Sequence, residues 1–149
     1  MPIDAKPKPG NKRVTGKEQY YTPELLAETL VRVVKKRIPN FEDRTFLEPA
    51  GGTGAFIKAV EKLGGTKVLS VDIEPKHQRV SKANFLEHEI PHHDAVTISN
   101  PPFGRNNSLS IPFFNRAADY SEYICFIVPR SWRKWSVINR LDRRFTLVH

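Results

Sequence analysis

The chain has 149 residues, room for one domain and its core but not for a second of ordinary size. Its 24 Lys and Arg against 16 Asp and Glu leave a net charge of +8, which favours a polyanionic partner. No apolar run reaches membrane-spanning length, the polar and basic opening residues lack the apolar stretch of a secretory signal, and Cys125 alone forms neither an internal disulfide nor a cysteine zinc cluster. An intracellular, reducing setting without membrane contact is the expectation.

Residues 1 to 18 carry Pro2, Pro7, Pro9 and Gly10 among Lys6, Lys8, Lys12, Arg13 and Lys17, the composition of a flexible basic arm. Residues 19 to 149 form the expected folded domain. Thr22-Pro23-Glu24 opens a helix to about Arg37: Thr22 can cap, Pro23 suits the first helical position and Glu24 the positive end of the dipole. Strands are expected over residues 44–47, 67–73, 79–81, 95–99 and 123–128. Helices are expected over 55–63, 112–120 and 136–141, and Phe145 to Val148 is a candidate sixth strand. This alternation predicts an α/β domain, a mostly parallel sheet with helices on both faces.

Glu48-Pro49-Ala50-Gly51-Gly52-Thr53-Gly54 lies between a strand and a helix, where α/β sheets bind nucleotide-like ligands. A phosphate loop would need Gly-Lys-Ser/Thr, which Gly54-Ala55-Phe56 does not supply, and a dinucleotide fingerprint would need a third glycine. Asp72 stands at the next strand end, where a carboxylate can accept ribose hydroxyls, with Ile73 beside it to pack on an adenine face. A cap for the following turn is the plainer reading of Asp72. Glu48 before the glycines suits the ammonium of S-adenosylmethionine (SAM) better than a pyrophosphate, which it would repel.

Asn100-Pro101-Pro102-Phe103 follows the fourth strand. Two prolines fix the backbone, so the Asn100 amide oxygen and the Pro101 carbonyl can present two acceptors to an amino group, and Phe103 offers a face for a base. Holding an amine nitrogen in line with a methyl donor is positioning catalysis and needs no nucleophile. These four residues are the candidate catalytic set.

Tyr21-Thr22-Pro23, Leu47 to Phe56, Val71-Asp72-Ile73-Glu74-Pro75 and Asn100-Pro101-Pro102-Phe103-Gly104 occur in that order. Together they resemble the gamma-type SAM-dependent amino-methyltransferases, which include DNA adenine-N6 enzymes, over roughly residues 20 to 148. The resemblance implies a class I, Rossmann-like fold with strand order 3-2-1-4-5-7-6, of which this sequence lacks an obvious seventh strand and any separate target-recognition domain. It implies that Tyr21, Thr22, Glu48, Ala50, Gly51 and Gly54 cradle the methionine end of SAM, and that Asp72 and Ile73 hold its ribose and adenine. Asn84-Phe85 stands where the family has Asp-Phe on the cofactor adenine; Asn100 borders both cofactor and target.

Pro129 to Trp135 interleaves Arg130, Arg133 and Lys134 with Trp132 and Trp135, and with Arg105 it suits a nucleic-acid edge. Arg140, Arg143 and Arg144 extend the positive surface; core packing is the competing reading of each tryptophan. His92-His93-Asp94 lacks partner ligands at useful spacing and reads as a turn, with no metal expected. The expected activity is methyl transfer to adenine N6, on DNA ahead of RNA. A silent nucleic-acid-binding subunit and a protein glutamine N5-methyltransferase are the competitors, and a partner subunit or a second copy could complete the sheet edge or target recognition.

Overall fold

The computed structural model describes residues 21–148, so the basic arm read from residues 1 to 18 lies outside it. The elements in chain order are α1 (Glu24–Arg37), β1 (Thr45–Glu48), α2 (Ala55–Lys62), β2 (Lys67–Asp72), β3 (Ser81–Lys82), β4 (Ala95–Ser99), α3 (Ser110–Ala118), β5 (Ser121–Phe126) and α4 (Trp135–Ile138). Single 3-10 turns occur at Phe41–Asp43, Arg105–Asn107 and Arg130–Arg133. All neighbouring strands are parallel, in the order β3-β2-β1-β4-β5.

Side-chain alternation along the strands explains why both faces are covered. In β1, Phe46 packs with Val31, Val34, Phe56 and Val60 of α1 and α2, while the next residue, Leu47, packs with Phe113 and Ala117 of α3. In β4, Val96 and Ile98 join the α1/α2 side and Ala95 the α3 side. Every residue of β4 is buried, as a central parallel strand demands. Ion pairs Lys58–Glu24 (2.7 Å) and Lys62–Glu28 (2.9 Å) link α2 to α1 at the surface, where solvent screens them and they add little to stability.

Three expectations change. Helix α1 begins at Glu24 with Pro23 as its N-cap residue and no side-chain cap, because the Thr22 hydroxyl is turned toward Asn100 instead. The expected 136–141 helix shrinks to the single turn of α4. The candidate sixth strand does not form: Phe145 packs edge-on against Phe114 of α3 at 5.8 Å, which draws this segment onto a helix rather than the sheet edge. Among the described residues β5 therefore has β4 as its one strand neighbour.

Candidate functional site

Glu48 ends β1, Asp72 ends β2 and Ser99 ends β4. The chain leaves β1 toward β2 and β3 and later returns to β4 on the opposite side, so these side chains meet at the carboxyl edge where strand order reverses. The glycine turn is tied down there. Gly51 N–H donates to the Val71 carbonyl (2.9 Å), and Gly52 N–H donates to Asp72 Oδ2 (2.9 Å). Asp72 Oδ1 accepts from Glu74 N–H (2.8 Å), so the capping reading of Asp72 is realised and extends to the glycine turn. A Cβ on Gly51 would lie 2.0 Å from Ser70 Oγ; Gly54 holds φ 79°, and a Cβ there would lie 2.8 Å from the His77 ring. Larger residues at these two positions would move the wall of the site.

The turn walls a cleft that brings together Tyr21, Thr22, Glu48, Ala50 and Gly51. Gly52, Thr53, Ala55 and Phe56 complete its lining, whereas Gly54 is not part of it and packs beside His77. Among the described residues that line it none is Lys or Arg. Glu48 is only 1% exposed; its Oε1 accepts from Ala50 N–H (2.9 Å) and Ser99 Oγ (2.5 Å). Burial pushes its carboxyl up to about 8, with the charge of Asp72 adding to the effect and the two hydrogen bonds opposing it. A carboxyl that a positive charge would help to ionise, and no basic side chain beside it, suit a cationic ligand end and leave a phosphate without a partner.

Asn100 sits at the mouth of β4. Its Nδ2 donates to Thr22 Oγ1 (3.3 Å), while its Oδ1 is buried and has no hydrogen-bond partner among the described residues. Pro101 is fully buried and anchors the turn, and the Phe103 carbonyl accepts from Leu109 N–H (3.1 Å) and Ser110 N–H (3.3 Å), which closes it. An unpaired buried acceptor costs about 1–3 kcal/mol, so a fixed Oδ1 of this kind favours an incoming N–H donor.

The adenine side of the expected cofactor site is less complete. Ile73 is 45% exposed at the rim. Asn84 Oδ1 accepts from Leu86 N–H (3.1 Å), and the Phe85 ring belongs to the core, 5.3 Å from Phe113. The Phe85 side chain is therefore unavailable to a ligand, because the α3 side of the sheet needs its volume.

Arg105, Arg130, Arg133 and Lys134 are exposed. Trp132 departs from the expected base-stacking role: its indole N–H donates to Asn107 Oδ1 (3.2 Å) and its ring meets Phe114 edge-on at 5.8 Å. Arg144 is engaged by Asp119 and Asp142 (2.7 Å each), which removes it from the free positive surface. His93 Nδ1 lies 3.3 Å from the Asp119 carbonyl oxygen, in the bend before β4. Ser99, Ser70 and His77 were not legible as site residues, since a lone serine or histidine in sequence carries no signal of its strand neighbours.

No family model matches the chain. Over 56 residues, 38% of this chain, it is 32% identical to the type II methyltransferase M1.HphI of Haemophilus parahaemolyticus, and the match spans 15% of that protein's length. Two solved structures align over most of the chain. A Pyrococcus horikoshii protein titled "putative RNA methyltransferase" matches with TM-score 0.65 and 23% identity over 86% of this chain and 70% of its own. A Listeria monocytogenes "putative class I S-adenosylmethionine-dependent methyltransferase" matches with TM-score 0.62 and 18% identity, over 83% and 50%. The chain has the Rossmann-like α/β fold of class I SAM-dependent methyltransferases.

Proposed function

We propose that the protein transfers a methyl group from SAM to the exocyclic N6 amine of adenine in DNA. The observation that carries this reading is Asn100: a buried, unpartnered Oδ1 on a proline-fixed turn, whose Nδ2 reaches Thr22 in the cofactor cleft. SAM supplies an electrophilic methyl group on a sulfonium. Glu48 and the cleft around it suit its ammonium end, the glycine turn lets the backbone approach, and Asp72 stands where ribose hydroxyls would be met. Asn100 Oδ1 accepts one amine hydrogen and orients the nitrogen, with the rigid turn setting the angle. The local similarity to a type II methyltransferase supports methyl transfer, and the net charge of +8 favours a polyanionic acceptor.

RNA is the second reading, because the turn suits any adenine amine and the Pyrococcus horikoshii neighbour is described as a "putative RNA methyltransferase". Labelled SAM incubated with double-stranded DNA, single-stranded DNA, RNA and protein separates the readings. The expected product is N6-methyladenine, lost in Asn100→Ala. Methylated cytosine or glutamine as the main product, or full activity in that variant, overturns the proposal. SAM binding without transfer to any of the four marks a silent subunit.

A further inference from the structure

Trp135 is a strongly exposed aromatic side chain that follows a run of cations in the chain. It is 76% exposed at the start of α4, directly after Arg133 and Lys134 and close in sequence to Arg130, all three exposed. Among the described residues these cations have no carboxylate partner, in contrast to Arg144. Val137, 6% exposed, anchors the same turn, so the indole is held outward on a fixed base rather than on a loose tail.

The strip is also keyed to the acceptor turn. Asn107 is 7% exposed, and its carboxamide bridges two residues of the strip: Nδ2 donates to Ser131 Oγ (3.2 Å) and Oδ1 accepts from Trp132 Nε1 (3.2 Å). Asn106 (φ 54°) and Asn107 (φ 62°) are both left-handed, a conformation that costs free energy and persists where the surroundings enforce it. Three residues separate Asn107 from Phe103, so whatever lies on the strip is fixed in position relative to Asn100.

We propose that Arg130–Trp135 is a docking strip for single-stranded nucleic acid, in which the Trp135 indole stacks an unpaired base near the target nucleotide and Arg130, Arg133 and Lys134 meet the phosphates. This rests on the nucleic-acid reading of the methyl acceptor. Trp132, which looks equivalent in sequence, is the internal anchor. Exposed indoles stack any base, and cations alone would not require one; an indole among unpaired cations is the combination that single strands use.

The test uses a fluorescein-labelled single-stranded DNA of about 12 nucleotides and its RNA counterpart, within the usual range for one domain. Trp135→Ala should weaken binding of both about tenfold or more, and Trp135→Phe should restore most of it. Tryptophan emission should be quenched by oligonucleotide in Trp132→Phe and unresponsive in Trp135→Phe. Trp135→Ala binding within twofold of wild type overturns the proposal, as does quenching that survives in Trp135→Phe. A closed circular duplex weakened equally by Trp135→Ala also overturns it, since a duplex without ends offers no free base face. The affinity of the wild-type protein for SAM, measured separately by calorimetry, tests the methyltransferase reading, so the two failures are distinguishable.

Discussion

Replacing Glu48 by Gln isolates one proton. The new side chain's Oε1 can still accept from Ala50 N–H and Ser99 Oγ, so packing and both hydrogen bonds persist while the titration is removed. In the wild type, burial raises the folded carboxyl to about 8 from an ordinary 4.5. A carboxyl raised in the folded state contributes fully below its unfolded value, and that contribution is lost as pH climbs through the folded one. Stability of the ligand-free protein should therefore fall between pH 4.5 and about 8, by up to about 1.4 kcal/mol per pH unit. Across that window the ceiling is about 5 kcal/mol. Urea unfolding of both proteins from pH 5 to 8.5 reads the difference directly, with other titrating groups cancelling. The Glu48→Gln variant should gain steadily on the wild type as pH rises. Parallel pH profiles would refute the buried-acid account. A cationic ligand end beside Glu48 favours the carboxylate, so SAM binding near pH 7 should release a proton, seen as a buffer-dependent calorimetric enthalpy that Glu48→Gln abolishes.

Three further outcomes follow from the same geometry. Asp72→Asn replaces a two-oxygen acceptor by one oxygen and one N–H₂, leaving either Gly52 N–H or Glu74 N–H facing a donor; thermal unfolding should show a loss of about 1–3 kcal/mol, with SAM affinity falling as well. Gly54→Ala forces a side chain into a left-handed position against His77, so it should cost about 1–2 kcal/mol in thermal unfolding and weaken SAM binding measured by calorimetry. Phe46→Ala empties a fully buried site next to Phe41 (4.9 Å between ring centroids) and should cost about 3–5 kcal/mol in denaturant unfolding.

Periodicity and turn chemistry made the parallel sheet legible, because a strand buried on both faces reads as an apolar run and each such run here ends in a turn signal. Glu48 to Gly54 and Asn100 to Phe103 were legible for the same reason: glycine and proline constrain the backbone locally, whatever the rest of the chain does. What the sequence could not carry were pairings between distant residues. Trp132 and Trp135 stand three apart in one basic stretch, yet one is tied to Asn107 and Phe114 and the other faces solvent. Phe145 alternates like a strand residue, but the ring of Phe114 offers it a better partner than the β5 edge. Thr22 is a good helix cap by type, and its hydroxyl meets Asn100 instead, 78 residues away. That last contact has a consequence for the site. It joins the segment before α1 to the turn after β4 through the pair of side chains standing between the proposed cofactor and the proposed target. Thr22→Val would remove the acceptor of Asn100 Nδ2 with little change in volume, leaving the amide free to rotate. Such a change should lower methyl transfer more than SAM affinity, since the cleft walls stay in place while the orientation of the accepting oxygen does not.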